Sequence, residues 1–161
     1  MIRYLALVCL IITGAAHAET YRIPEDEPIA RVTIDSDWKT KAKEEFIEAT
    51  TPDGTGHVIV LPVEHRKIGE AMNEAMRYIR RTGTVRVKAD TERRTTDQVN
   101  GRAVRIFSWD ATDAGKPLRI HCHVVSIVEG KPLLVVYWGS PEAEHKHASS
   151  IRNMLQRLEQ P

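Results

Sequence analysis

The stretch VNGRAVRIFSWDATDAGKPLRIHCHVVSIVEGKPLLVVYW, residues 99–138, decides the fold. Three β-rich runs, 102–109, 118–128 and 133–138, are separated by turn residues. Asn100-Gly101 ahead of the first run is a hairpin signal, because a type I′ turn needs positive φ at both central positions. Asp113-Ala114-Gly115-Lys116-Pro117 and Glu129-Gly130-Lys131-Pro132 supply turn chemistry for the next two reversals. The three runs therefore make an antiparallel meander. The last run is apolar at every position, so it must be covered on both faces, by helices or a second sheet.

Working outward, residues 140–158 read as a helix, with Ser140 as N-cap, Pro141 at the first helical position and an acid, Glu142, in the first turn. His147, Ile151, Met154, Leu155 and Leu158 form its inward stripe. Residues 67–81 read as the other helix, with Ile68, Ala71, Met72, Ala75, Met76 and Ile79 at i, i+3, i+4, i+7, i+8 and i+11. Residues 29–34, 44–51, 57–63 and 84–90 read as further strands, and residues 91–96 as an exposed polar loop carrying Arg93 and Arg94. Residues 20–28, acidic and with two prolines, read as a loop or loosely held strand, and Asp35-Ser36-Asp37 as a turn beside a core-anchoring Trp38. Antiparallel strands with two helices define an α+β domain, an antiparallel sheet flanked by helices.

The chain opens with a targeting signature: Arg3, an apolar run over 4–13, and Ala16-His17-Ala18 as a small-x-small cleavage site. The run is too short for a span of about 20 residues. The expectation is a signal peptide over 1–18 and a single domain over 19–161, in the periplasm or secreted. Of Cys9 and Cys122 only Cys122 remains after cleavage, which excludes an internal disulfide and leaves stability to packing. The mature net charge is zero with His neutral, but residues 19–64 hold 11 acids and 5 bases while 66–105 hold 11 bases and 5 acids. Such segregation implies oppositely charged surfaces or mutual pairing. Basic residues without interleaved aromatics do not describe a nucleic-acid surface.

Asp37-Trp38, a Pro52/Gly54 turn before an apolar strand, one amphipathic helix, the Asn100-Gly101 hairpin, the meander and the terminal helix together resemble the PsbP-like α/β/α sandwich and its bacterial DcrB-like envelope members. The resemblance covers roughly residues 29–158. It implies a binding or adaptor module, as in photosystem extrinsic subunits, type VI secretion chaperones and some immunity proteins, with no shared catalytic residues.

No Gly-x-Ser-x-Gly, CxxC, HExxH or phosphate-cradling loop is present, so neither an enzyme nor a cofactor is expected. An interaction module would use the exposed cluster Arg77, Arg80, Arg81, Arg93 and Arg94 on another envelope or secreted protein. The alternative is a metal or small-ligand site. His121 and His123 share one strand face by period two, with Cys122 on the other beside Ile120 and Val124. His145 or His147 from the last helix would join them, but not both, since i and i+2 diverge on a helix. Two or three imidazoles suit Zn²⁺ or Cu²⁺; otherwise the pair lies beneath or beside a helix, satisfied by hydrogen bonds. Cys122, buried mid-strand, reads as an inert core thiol.

Overall fold

The computed structural model describes residues 18–44 and 46–161; the expected signal segment thus lies almost wholly outside the described residues. Strand β10 (Lys131–Gly139) pairs antiparallel with β5 (Gly56–Pro62) on one side and β9 (Lys116–Val128) on the other. Pro132 to Gly139 are all buried, as the unbroken apolar run requires. Around this centre the sheet runs β3 (Lys39–Ala42), β4 (Ile47–Thr50), β5, β10, β9 and β8 (Arg102–Asp113). The outer side of β8 carries both β6 (Arg86–Val87) and β7 (Arg93–Val99).

Helix α1 (Ile68–Thr82) covers one face, burying Ala71, Ala75 and Ile79 against Ile59, Cys122, Val124, Leu134, Val136 and Trp138. The other face is shared by α2 (Pro141–Gln156) and a two-stranded ribbon, β1 (Ala18–Ile23) with β2 (Ala30–Asp35). Ile23, Val32 and Ile34 of the ribbon meet Val58, Val60, Leu133 and Val135 of the sheet and Ile151, Met154 and Leu155 of α2 in one cluster. Each such fully buried Val, Ile or Leu contributes about 1.5–3 kcal/mol. Trp38 is 5% exposed and belongs to the same cluster. Ser140 caps α2, its Oγ accepting from the Ala143 amide at 3.1 Å. The sequence-based α+β assignment, with helices on both faces of an antiparallel sheet, therefore holds.

Three local expectations are corrected. Residues 93–99 are a strand, not a loop: β7 pairs residue for residue with β8 across Asn100 (φ 51°) and Gly101 (φ 72°). It buries neither face, so it lacks alternating apolar residues, and only the turn announces it. Residues 84–90 are mostly not strand: only Arg86 and Val87 pair, and a 3₁₀ turn over Ala89–Thr91 follows. Strand β3, Lys39-Thr40-Lys41-Ala42 with no buried residue, went unread for the same reason as β7, and the expected strand over 44–51 is the shorter Ile47–Thr50. The lead-in over 20–28 begins as β1, paired to β2.

Gly56 and Gly139 are direct partners across β5 and β10. Tyr137 fills the space they leave: a Cβ at Gly139 would meet the Tyr137 hydroxyl closer than any real Cβ approaches, and one at Gly56 would lie 3.1 Å from the ring. Gly139→Ala is therefore expected to destabilise by about 1–3 kcal/mol, the cost of overpacking. Tyr137→Phe alone should be neutral or stabilising, since its buried hydroxyl has no hydrogen-bond partner. In the Tyr137→Phe background Gly139→Ala should cost less. Urea denaturation of the four proteins of this cycle checks the coupling; additive effects would show that the hydroxyl does not set the space.

Candidate functional site

A pocket of about 240 Å³ opens between α2 and the β7–β8–β9 part of the sheet. His121 and His123 line it, as do Tyr137, Glu144 and the apolar side chains of Val104, Ile106, Ile151 and Leu155. The two imidazoles share a face, as period two requires, with ring centroids 6.3 Å apart. Cys122 points the other way, into the α1 cluster, where burial pushes its thiol up to about 12. Of the two environments expected for the pair, the one beneath a helix is found. Among the described residues His123 Nδ1 and Tyr137 Oη are buried without a hydrogen-bond partner, and His121 Nε2 has only the Glu144 carboxylate beside it.

Electrostatics at this site are shaped by desolvation. Burial lowers the His123 pKa to about 4, helped by the neighbouring His121 and opposed by Asp97. Burial also lowers that of His121, against the opposing pull of Glu144. Both rings are thus neutral at pH 7. Burial raises the Tyr137 pKa, and the charges of Glu144 and Asp53 add to the effect.

Glu144, in the pocket lining, belongs to a chain of charges across four elements. Arg93 of β7 contacts Asp110 of β8 at 2.8 Å, Arg119 of β9 stands 3.9 Å from Asp110 and 3.0 Å from Glu144 of α2. Glu144 Oε1 lies 3.1 Å from His121 Nε2. The β7–β8 turn is tied to the C-terminus of α2. Asn100 Nδ2 donates to the Gln156 carbonyl, and Arg102 donates to the Leu158 carbonyl at 2.6 Å.

His147 does not join His121 and His123. Its Nε2 lies 3.1 Å from Asp53 Oδ2, and its ring meets Trp38 edge-on at 6.0 Å. His145 is exposed. Among the described residues no group of three or more His, Cys, Asp or Glu side chains is placed to hold a metal ion. The reason is the helical spacing of α2: the turn that places Glu144 over the sheet histidines sends His147 toward the β4–β5 turn. There Asp53 also accepts from Thr51 Oγ1 and Thr55 Oγ1, both at 2.7 Å, and from Lys146 Nζ at 2.7 Å. The Lys146 bond, with the two threonine hydroxyls, holds the Asp53 carboxyl well below the usual carboxylate range. Asp53 is the clamp between hairpin and helix, a role its turn position alone did not signal.

The five arginines do not form one cluster either. Arg93 and Arg94 are neighbours on a strand, so they point to opposite faces. Arg93 enters the charge chain, while Arg94 pairs with Glu92 at 2.6 Å and lies 5.6 Å from the Phe107 ring centroid. Arg77 pairs with Glu74 at 3.6 Å; Arg80 and Arg81, exposed in the last turn of α1, have no ion pair among the described residues.

No protein-family model matches the chain, and no curated protein matches it. Solved structures do. Cyanobacterial PsbP (CyanoP) from Synechocystis sp. PCC 6803 superposes with a TM-score of 0.61 over 92% of this chain and 95% of that one, at 8% identity. LpqN of Mycobacterium tuberculosis, described as involved in cell envelope biogenesis, gives 0.54 over 90% and 92%, also at 8% identity. A Bacteroides thetaiotaomicron structure gives 0.56 at 11% identity over 82% of this chain, which spans only 45% of that one. The chain has a PsbP-like fold; identities this low show the fold alone.

Buried neutral imidazoles have a consequence for acid stability. An unfolded chain protonates its histidines as pH falls below about 6.5, whereas the folded protein resists until about 4 at His123. Folding stability contributed by this site is therefore present above pH 6.5 and lost as pH falls from there to about 4. The shift at His123 corresponds to roughly 3 kcal/mol at most. Urea denaturation of the wild type and of His123→Leu between pH 4 and 7 should show the wild type losing more stability on acidification. Parallel pH profiles would rule out a buried neutral His123.

Proposed function

We propose that the protein is an exported, non-catalytic binding module whose binding site is the pocket under α2. The observation that carries this reading is His123 Nδ1, buried in the pocket lining with no hydrogen-bond partner among the described residues, beside His121, whose buried Nε2 has only Glu144 near it. Native interiors satisfy nearly all such groups. Each unmet donor or acceptor costs about 1–3 kcal/mol, which a bound molecule offering the missing hydrogen bond returns. Non-catalytic action is supported by the state of Cys122, the one free thiol among the described residues, which is buried on the opposite face and held protonated. Export to the periplasm or beyond is supported by the targeting signature at the start of the chain. The fold shared with LpqN, a protein of cell envelope biogenesis, is consistent with an envelope setting.

A second reading, an adaptor or immunity-type module for another envelope or secreted protein, is favoured by Arg80 and Arg81, which stand exposed at the end of α1 with no ion pair among the described residues. Its surface is this pair rather than the five arginines together.

The two readings separate in one preparation. Protein comprising residues 19–161 is recovered from its own envelope extract, and both co-purifying proteins and small molecules released on denaturation are identified by mass spectrometry. The pocket reading expects a small molecule with the wild type that is absent from a His121→Leu/His123→Leu variant. The adaptor reading expects a stoichiometric protein that is lost with Arg80→Glu/Arg81→Glu and kept with the histidine variant. Equal recovery of every small molecule with wild type and histidine variant would refute the pocket as the binding site.

A further inference from the structure

We infer that the pocket under α2 takes a small, uncharged amphipathic molecule: an apolar body carrying one neutral hydrogen-bonding head such as a hydroxyl or an amide. This inference rests on the reading of that pocket as a binding site. Size is the first constraint. At about 240 Å³ the pocket lies below the roughly 300–1,000 Å³ of sites for drug-sized ligands.

The distribution of charge sets the head group. Every formal charge around the pocket is either already paired or placed at its rim. Glu144 is held by Arg119 at 3.0 Å, and Arg119 belongs to the chain that reaches Arg93 through Asp110. Asp97 of β7 and Arg152 of α2 line the pocket from exposed positions. The deep wall offers the two imidazoles, and burial keeps both uncharged. A carboxylate brought against them would lose its hydration without gaining a counter-ion, and an ammonium would find only Glu144, which Arg119 already holds at 3.0 Å. A neutral head loses far less and finds partners. Each neutral imidazole is a donor at one nitrogen and an acceptor at the other. Turning a ring about Cβ–Cγ changes its outline little while exchanging which edge carries a nitrogen. The unpartnered nitrogens can thus serve either a donor or an acceptor on the ligand.

The remaining walls fix the body. Val104 and Ile106 of β8 face Ile151 and Leu155 of α2 across the slot. A volume of about 240 Å³ between these apolar walls suits a compact apolar body.

Benzamide, benzoate and benzylammonium have nearly equal size and differ in head charge, so they separate the pocket from its chemistry. Isotope-labelled protein comprising residues 19–161 is titrated with each at pH 7 and followed by NMR. Benzamide is expected to shift His121, His123 and Ile151 resonances and to bind at least tenfold tighter than either ion. Ala148→Phe, which fills the pocket from an exposed position on α2, should abolish those shifts while the rest of the spectrum stays folded. Benzoate or benzylammonium binding at the same residues as tightly as benzamide would overturn the ligand class but leave the site standing. If none of the three probes moves those resonances, the binding-site reading fails with it.

Discussion

Strand β10 has no face left for water. Pro132 to Gly139 are buried, so both surfaces of the sheet must be roofed, and every other placement follows from that demand. Helix α1 answers on one side with a narrow stripe of Ala71, Ala75 and Ile79. On the other side no single element suffices. Helix α2 covers part, and the ribbon of β1 and β2 closes the remainder, with Ile23, Val32 and Ile34 against Val58, Val60 and Leu133. Because α2 shares this face with the ribbon, it does not cover the sheet out to β7. The gap between α2 and the outer strands is the pocket. The candidate site is thus a by-product of how one fully buried strand is roofed.

The same division explains what could be read from the sequence. Elements that bury a face announce themselves: the meander, the stripe of α1 and the inward positions of α2 were all legible, as was the shared face of His121 and His123. Elements held only by backbone pairing did not. Strand β7, exposed along nearly its whole length, carries Arg, Thr, Asp and Gln where a half-buried strand would alternate. Strand β3 is similar. Constellations assembled across elements were also invisible. Nothing in the local sequence says that Glu144 reaches Arg119 and His121, or that Asp53 gathers Thr51, Thr55, Lys146 and His147. Residues read as two separate sites, Arg93 for a partner and His121 for a metal, turn out to lie at opposite ends of one charge chain.

That chain also separates structure from recognition. Exposed ion pairs contribute only about 0–1 kcal/mol each, so Arg93, Asp110 and Arg119 add little to stability singly. What they do is fix position: they hold the flank of α2 at a set distance from β7 and β8. The pocket's deep wall, by contrast, is left with unmet hydrogen bonds, an arrangement that costs stability and is economical only if something else supplies the partners.

The two borders of the main sheet have a further consequence. A terminal strand presents a row of unpaired amides and carbonyls to any other extended chain, and flat uncharged borders of this kind seed fibres. Here one border is β3 with Lys39 and Lys41, and the other includes β7 with Arg93 and Arg94. Lysine and arginine side chains at these positions repel a second copy approaching edge to edge and make its desolvation unfavourable. Two of the five arginines that suggest recognition at first sight, Arg93 and Arg94, are thus placed where they disfavour edge-to-edge pairing of two copies.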